Sequence, residues 1–283
     1  MKAKPDCIPC IIAHVLKVAR NVTPNDWLAR KVLLETLDIL KTGEFDRSPA
    51  EIAFDCLRTA AKTLGTLDPF KEEKRVSNES AMAIIEEVNK IITDKNEDKL
   101  LSLLRFAAAA NLLDTGTLST ATPQDITLLT SRMNFELNNY AALKKDLASA
   151  KSILYILDNA GEIVFDKLVI EELARKGKDV TAVVRKFPVL NDAVSEDAEQ
   201  VGLTAVCPVI DTGADSLGVV LNVASPKFRE IFESADVVIS KGQANFETIE
   251  GIRKNTYFVL TTKCDVVANY LGVSKNDLVL LRE

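Results

Sequence analysis

Residues 158 and 159 place a carboxylate and a carboxamide side by side, Asp158 and Asn159, at the end of the apolar run SILYIL. A turn through Gly161 follows, and Glu162 opens a segment with helical spacing. Other apolar runs end in comparable clusters. Arg185, Lys186, Asn191 and Asp192 follow DVTAVV; Lys241-Gly242-Gln243-Ala244-Asn245 follows DVVIS; Thr262, Lys263, Cys264 and Asp265 follow YFVLT. Carboxylate and carboxamide oxygens suit a hard or borderline divalent cation such as Mg²⁺ or Mn²⁺. Lysines and the N–H groups of helix N-termini suit phosphoryl oxygens. Asp158, Asn159 and Asp192 therefore read as cation ligands that leave positions for water and substrate, the equipment for metal-assisted hydrolysis of a phosphate ester. Taken singly, Asp or Asn at such a junction is as readily an N-cap or turn former, and a loop lysine is ordinarily solvated. The coincidence of four clusters carries the reading.

These clusters meet only if the runs are strands of one open sheet, because ligands bind beyond the carboxyl ends of parallel strands. The pattern from residue 149 onward fits that demand. Apolar runs at 152–158, 179–185, 203–210, 235–240 and 256–261 alternate with helical segments at 162–177, 192–202, 225–235 and 245–255, the signature of a parallel, doubly wound sheet. Residues 1–148 read instead as all helical, with apolar residues at helical spacing over 11–22, 27–41, 49–65, 79–93 and 99–114. Ser48-Pro49 and Gly65 supply a start and a stop. The expected fold is α/β: an N-terminal helical domain (1–148) packed on a C-terminal doubly wound, mainly parallel α/β/α sheet domain (149–283). Trp27 and the helical Leu and Ile stripes are expected in the core or in interdomain packing, and Cys56 and Cys207 in the core. The charged run DPFKEEKR (68–75) reads as a solvated connection.

Composition narrows the chemistry. With 283 residues, 47% hydrophobic and 27% charged, the chain is of ordinary globular make-up. A net charge of -6 gives no footprint for nucleic acid or an anionic membrane, and no apolar run reaches the ~20 residues of a membrane span. MKAKPDCIPC lacks the smooth apolar core of a signal peptide, so a cytoplasmic protein is expected. Five cysteines, an odd number, do not form a disulfide framework. A single histidine, His14, excludes multi-histidine metal sites. No GxxxxGK[ST] P-loop occurs. An S-adenosylmethionine-dependent methyltransferase would need a glycine-rich loop where DNAGE stands; a non-catalytic phospho-ligand module remains the main alternative to an enzyme.

DNAGEIVFD, with LNDAVSEDA, SKGQANFET and TTKC downstream, resembles the DUF89 family, also described as damage-control phosphatases, and KPDCIPC resembles its CxxC-bearing branch. The resemblance spans nearly the whole chain. It implies a divalent-metal-dependent phosphatase (Mn, Mg, Co or Ni) acting on small phosphorylated metabolites. It makes Asp158, Asn159 and Asp192 the metal ligands and Lys241, Asn245 and Lys263 substrate and phosphate contacts, with Glu162 and Gly242 beside them. Asn111 corresponds to an asparagine that closes over the site. The expected mechanism is in-line attack by a metal-activated water, with Asp158 or a neighbouring acid taking its proton and the metal, Lys241 and Lys263 stabilising the developing charge as catalytic groups. An aspartyl-phosphate at Asp158 is the competing route, disfavoured because the position two residues on is Ala160. Two departures stand out: Ala110 and Ala244 occupy positions where the family often has glycine.

Cys7 and Cys10 open the first helix, with His14 one turn on. Three readings stay open: a soft-metal site borrowing Cys264, a redox pair, or reduced thiols beside a core histidine. Oligomeric state is not legible.

Overall fold

The computed structural model describes residues 1–42, 45–94, 98–110 and 134–283. Among the described residues six helices precede the first strand: α1 (Cys7–Val22), α2 (Asp26–Thr42), α3 (Pro49–Leu64), α4 (Lys71–Ala83), α5 (Ile85–Asp94) and α6 (Lys99–Ala110). Then follow β1 (Phe135–Asn138), α7 (Tyr140–Ser149), β2 (Ser152–Ile156), α8 (Glu162–Arg175), β3 (Asp179–Val184) and α9 (Ser195–Gln200). The chain continues through a 3-10 turn (Leu203–Ala205), β4 (Val209–Asp211), α10 (Pro226–Ser234), β5 (Val237–Lys241), α11 (Gln243–Ile249), β6 (Thr256–Thr261), α12 (Asp265–Leu271) and β7 (Leu278–Arg282). Local chemistry explains the boundaries. At α3, Ser48 Oγ accepts from the Glu51 N–H at 3.2 Å while Glu51 Oε2 accepts from the Ser48 N–H at 3.0 Å, and Gly65 ends the helix at φ 72°.

Among the described residues seven strands form one sheet in the order β1-β7-β6-β5-β2-β3-β4. β6, β5, β2, β3 and β4 run parallel, whereas β7 is antiparallel to β6 and parallel to β1. From β2 the chain builds outward to β3 and β4, then returns to add β5 and β6 on the other side, so the order reverses between β2 and β5. That crevice is where an open α/β sheet binds its ligand. Both faces of the central strands are covered, which is why they read as continuous apolar runs. One face packs against α4 to α9 in a single cluster reaching from Ala81 to Leu280. The other packs against α10, α11 and α12 through Phe228, Phe232, Phe246 and Val267. Helices α1 to α3 form a third cluster, into which Val189 and Leu217 insert.

The α/β architecture expected from the sequence is present, and several elements differ in detail. β1, β7 and α12 had no counterpart in the sequence reading. β1 lies within 1–148 and pairs with β7, and the first core cluster runs across the boundary at 148. Of the run 203–210 only Val209 and Ile210 are strand, in β4; Gly202 turns at φ 70° into the 3-10 turn, and β4 pairs with β3 at the sheet edge. The segment 79–93 divides at Ile84. DPFKEEKR is no solvated connection: α4 begins inside it, and the buried Lys74 ammonium pairs with Asp68 at 3.0 Å and Asp197 at 3.6 Å. Trp27 is 69% exposed rather than in the core. Cys56 and Cys207 are buried as expected. Among the described residues no helix is long and apolar enough to cross a membrane.

Candidate active site

β2 and β3 deliver two loops that pair with each other. Asn159 and Asp192 form an antiparallel bridge. The Ala160 N–H donates to the Asn191 carbonyl at 2.9 Å, and the Ala193 N–H to the Asp158 carbonyl at 2.8 Å. This ladder brings Asp158, Asn159 and Asp192 together, all buried at 8% exposure or less. A tether from the helical part supports it. Asn78 of α4 accepts from the Gly161 N–H at 2.6 Å and donates to Asp197 at 2.9 Å, tying loop 158–161 to α9.

Side-chain geometry at the site is tight. Arg185, buried at the end of β3, donates from Nε to Asp192 Oδ2 at 2.6 Å, with Nη2 3.9 Å from Asp158 Oδ1. Gly242 follows β5 at φ 79°, and a Cβ there would lie 2.0 Å from Asp158 Oδ2. Only glycine lets the backbone pass so close to that carboxylate. Asn159 donates from Nδ2 to Asp158 Oδ2 at 2.8 Å and to Glu162 Oε2 at 3.2 Å.

Lys241 is wholly buried. Its ammonium donates to Glu162, to Asp166 at 2.8 Å and to the Ala107 carbonyl at 3.2 Å. Asp166 also accepts from the Tyr155 hydroxyl at 2.7 Å. Asn245 donates to the carbonyls of Leu157 (3.1 Å) and Lys241 (2.7 Å), joining the ends of β2 and β5, and its Oδ1 meets no partner among the described residues. Lys263 is exposed, and its backbone N–H donates to Gln243 Oε1 at 2.9 Å. Asn111 lies outside the described residues. Ala244 sits inside α11 and is not among the residues with positive φ, so it causes no strain there.

Cys7 is buried, Cys10 exposed and Cys264 half-buried. Burial pushes the Cys7 and Cys10 thiols up, with Cys264 adding to both, so neither has the depressed pKa of a reactive pair. His14 is exposed rather than a core residue. Among the described residues no group of three His, Cys, Asp or Glu is arranged to hold a metal.

Electrostatics tests whether the Asp158-Asn159-Asp192 donors suit a cation. Burial pushes Asp192 up to about 6 against the pull of Arg185, and Glu162 up to about 7 against that of Lys241; Asp158 adds to both rises. Four buried carboxylates, Asp158, Asp192, Glu162 and Asp166, face two buried cations, Lys241 and Arg185. With all six ionised, two negative charges remain, which a divalent cation would balance. Oxygen donors with that deficit fit a hard or borderline divalent ion.

Sequence reasoning did not assign Asp166, Tyr155 or Asn78, and gave Arg185 no role. Asp166 had a local signal, an acid one turn beyond Glu162 in the apolar EIVFD. Asn78 had none, because its partners lie 83 and 119 residues away.

Fold and site together define an α/β protein with a cluster of buried carboxylates beyond the strand ends at the switch point of its sheet. The chain matches the family described as Damage-control phosphatase ARMT1-like domain over residues 3–279 and belongs to it. It is 35% identical to the uncharacterized protein MJ0202 of Methanocaldococcus jannaschii, covering all of this chain and 96% of that one. It is 30% identical to a damage-control phosphatase of Archaeoglobus fulgidus, covering 99% and 98%. The crystal structure of a DUF89 family protein from Pyrococcus horikoshii (PH1575) superposes with a TM-score of 0.90 at 30% identity, covering 100% of this chain and 99% of that one.

Proposed function

We propose that this protein is a divalent-metal-dependent phosphomonoester hydrolase of small phosphorylated metabolites. The observation that carries the proposal is the backbone ladder that sets Asp158, Asn159 and Asp192 together beside Arg185, in a buried cluster where carboxylates outnumber cations. The name of the A. fulgidus relative, a damage-control phosphatase, supports a phosphatase activity. Asp158, Asn159 and Asp192 would hold the cation. When bound, it supplies Lewis-acid stabilisation of phosphoryl oxygens and a more acidic water.

The chain's own groups do the rest. Arg185 keeps Asp192 turned inward and offers positive charge beside the reacting phosphoryl group. Lys263, exposed after β6, draws the phosphoryl dianion to the rim. Asp158 or a neighbouring acid accepts the proton of the attacking water. Gly242 leaves room for that carboxylate, and Asn245 holds the ends of β2 and β5 in register with it. In the structure Lys241 bonds to Glu162 and Asp166, and Glu162 also accepts from Asn159.

Phosphate release from p-nitrophenyl phosphate and a panel of sugar phosphates tests the reading. EDTA-stripped protein receives Mn²⁺, Mg²⁺, Co²⁺ or Ni²⁺ in turn, with Asp158→Ala run in parallel. Turnover restored by a metal and lost in the variant, by at least ~100-fold, is expected. A folded protein that turns over no ester with any of these ions would instead be a phospho-ligand-binding module.

A further inference from the structure

Asn159 can present either end of its carboxamide to a cation, and only the oxygen can ligate it. In the structure both amide hydrogens are used, on Asp158 Oδ2 and Glu162 Oε2. Glu162 can accept there because its other oxygen accepts from Lys241. Lys241 in turn is held by Asp166, which accepts from the Tyr155 hydroxyl, and by the Ala107 carbonyl of α6. All the linked side chains are buried: Tyr155, Asp166 and Lys241 at 0% exposure, Glu162 at 2% and Asn159 at 8%. Lys241 comes from the last position of β5, whereas Glu162 and Asp166 sit one turn apart on α8. The ammonium therefore spans the crevice between β5 and the helix that follows β2.

We propose that Lys241, Glu162, Asp166 and Tyr155 are positioning residues, a buried stack beneath the cation site that fixes the Asn159 carboxamide with its oxygen toward the ion. The idea rests on the cation site proposed above and assigns Lys241 a different task from a phosphate contact. Its charge holds Glu162 as an acceptor for Asn159. Partners that orient a metal ligand in this way are worth 10–100-fold in metal affinity.

Mn²⁺ binding to the metal-free protein, read from the electron paramagnetic resonance of free Mn²⁺, separates the possibilities without recourse to activity. Lys241→Met and Glu162→Gln are each expected to weaken Mn²⁺ binding by about 10–100-fold. Lys241→Arg, which keeps the charge, is expected to recover part of the loss. Phosphatase assays at saturating Mn²⁺ should then show KM near the wild-type value. Glu162→Gln is isosteric and removes a buried charge, so it keeps the test open if Lys241→Met does not fold. Wild-type Mn²⁺ affinity in either folded variant, or a raised KM with unchanged Mn²⁺ affinity in Lys241→Met, overturns the stack. Asp158→Ala distinguishes the two levels. If it also binds Mn²⁺ as wild type does, the cation site itself is wrong; if it alone loses Mn²⁺, only the orienting stack fails.

Discussion

Gly242 shows how one missing side chain shapes the pocket. Its φ of 79° with ψ 163° is a backbone region nearly confined to glycine and alone would cost an alanine about 1–3 kcal/mol. The Asp158 carboxylate, 2.0 Å from where a Cβ would stand, adds a clash that only movement of Asp158 can relieve. Gly177 is the natural control, with φ 76° and nothing within 4 Å of an added Cβ. Gly177→Ala should lower stability by about 1–2 kcal/mol in urea unfolding and leave Mn²⁺ affinity unchanged. Gly242→Ala should lower stability further and weaken Mn²⁺ binding at least tenfold; equal effects from the two would mean that the close approach to Asp158 is unimportant. Glycine after a strand is easy to notice in KGQAN, but its reason is the carboxylate of another strand's loop.

Element contacts show how the helices set the site. Asn78 of α4 occupies a buried position in a helix whose sequence, KEEKRVSNESAMA, reads as polar. Its side chain satisfies the Gly161 N–H at the turn between β2 and α8 and bridges to Asp197 at 2.9 Å and Gln200 at 2.8 Å near α9. Asn78→Ala leaves that buried N–H without its acceptor. An unsatisfied buried group costs about 1–3 kcal/mol, so denaturant unfolding should show a loss of that size and phosphatase activity should fall with it. Undiminished stability would mean that the tether contributes little. α6 reaches the same region through its carbonyls, Ala107 accepting from Lys241 and Ala108 from Thr261 at 2.8 Å. Its run of alanines, all buried, lets the helix backbone come close enough to the strand ends to do so.

Over the whole molecule, stability carries the imprint of buried acids. Glu247 of α11 is pushed up to about 7 by burial, against the hydrogen bond from Gln243 and the nearby N-terminal amine, with Asp158 adding to the rise. An acid whose folded pKa lies above its unfolded value keeps its proton longer in the folded state. Its contribution is therefore fully present below the ordinary 4.5 and is lost as pH rises to about 7. At ~1.4 kcal/mol per unit the loss amounts to roughly 3 kcal/mol at most. Urea unfolding at pH 5 and pH 7.5 should show Glu247→Gln gaining on wild type as pH rises; a constant difference would exclude Glu247 as the source. Cation binding should act in the other direction. Mn²⁺ at 100 times its Kd should stabilise the protein by about 2.7 kcal/mol, raising Tm in wild type but not in Asp158→Ala.

Helical spacing, the punctuation at Ser48 and Gly65, and the apolar central strands are local properties, and they identified most helices, five parallel strands and the acid-amide pair at the end of β2. Asp158, Asn159 and Asp192 could be singled out as candidate cation ligands in the same way, because oxygen donors suit divalent ions wherever they stand. The edges of the sheet were not: β1 is four residues long and finds its partner in β7, more than a hundred residues away. Nor was the burial of Lys241, a residue type that is ordinarily solvated. Its partners Asp166 and Glu162 lie 75 and 79 residues earlier, and nothing in KGQAN announces them. Residue type and spacing determine which chemistry a chain can perform, whereas the burial and pairing of charges depend on which distant segments pack together.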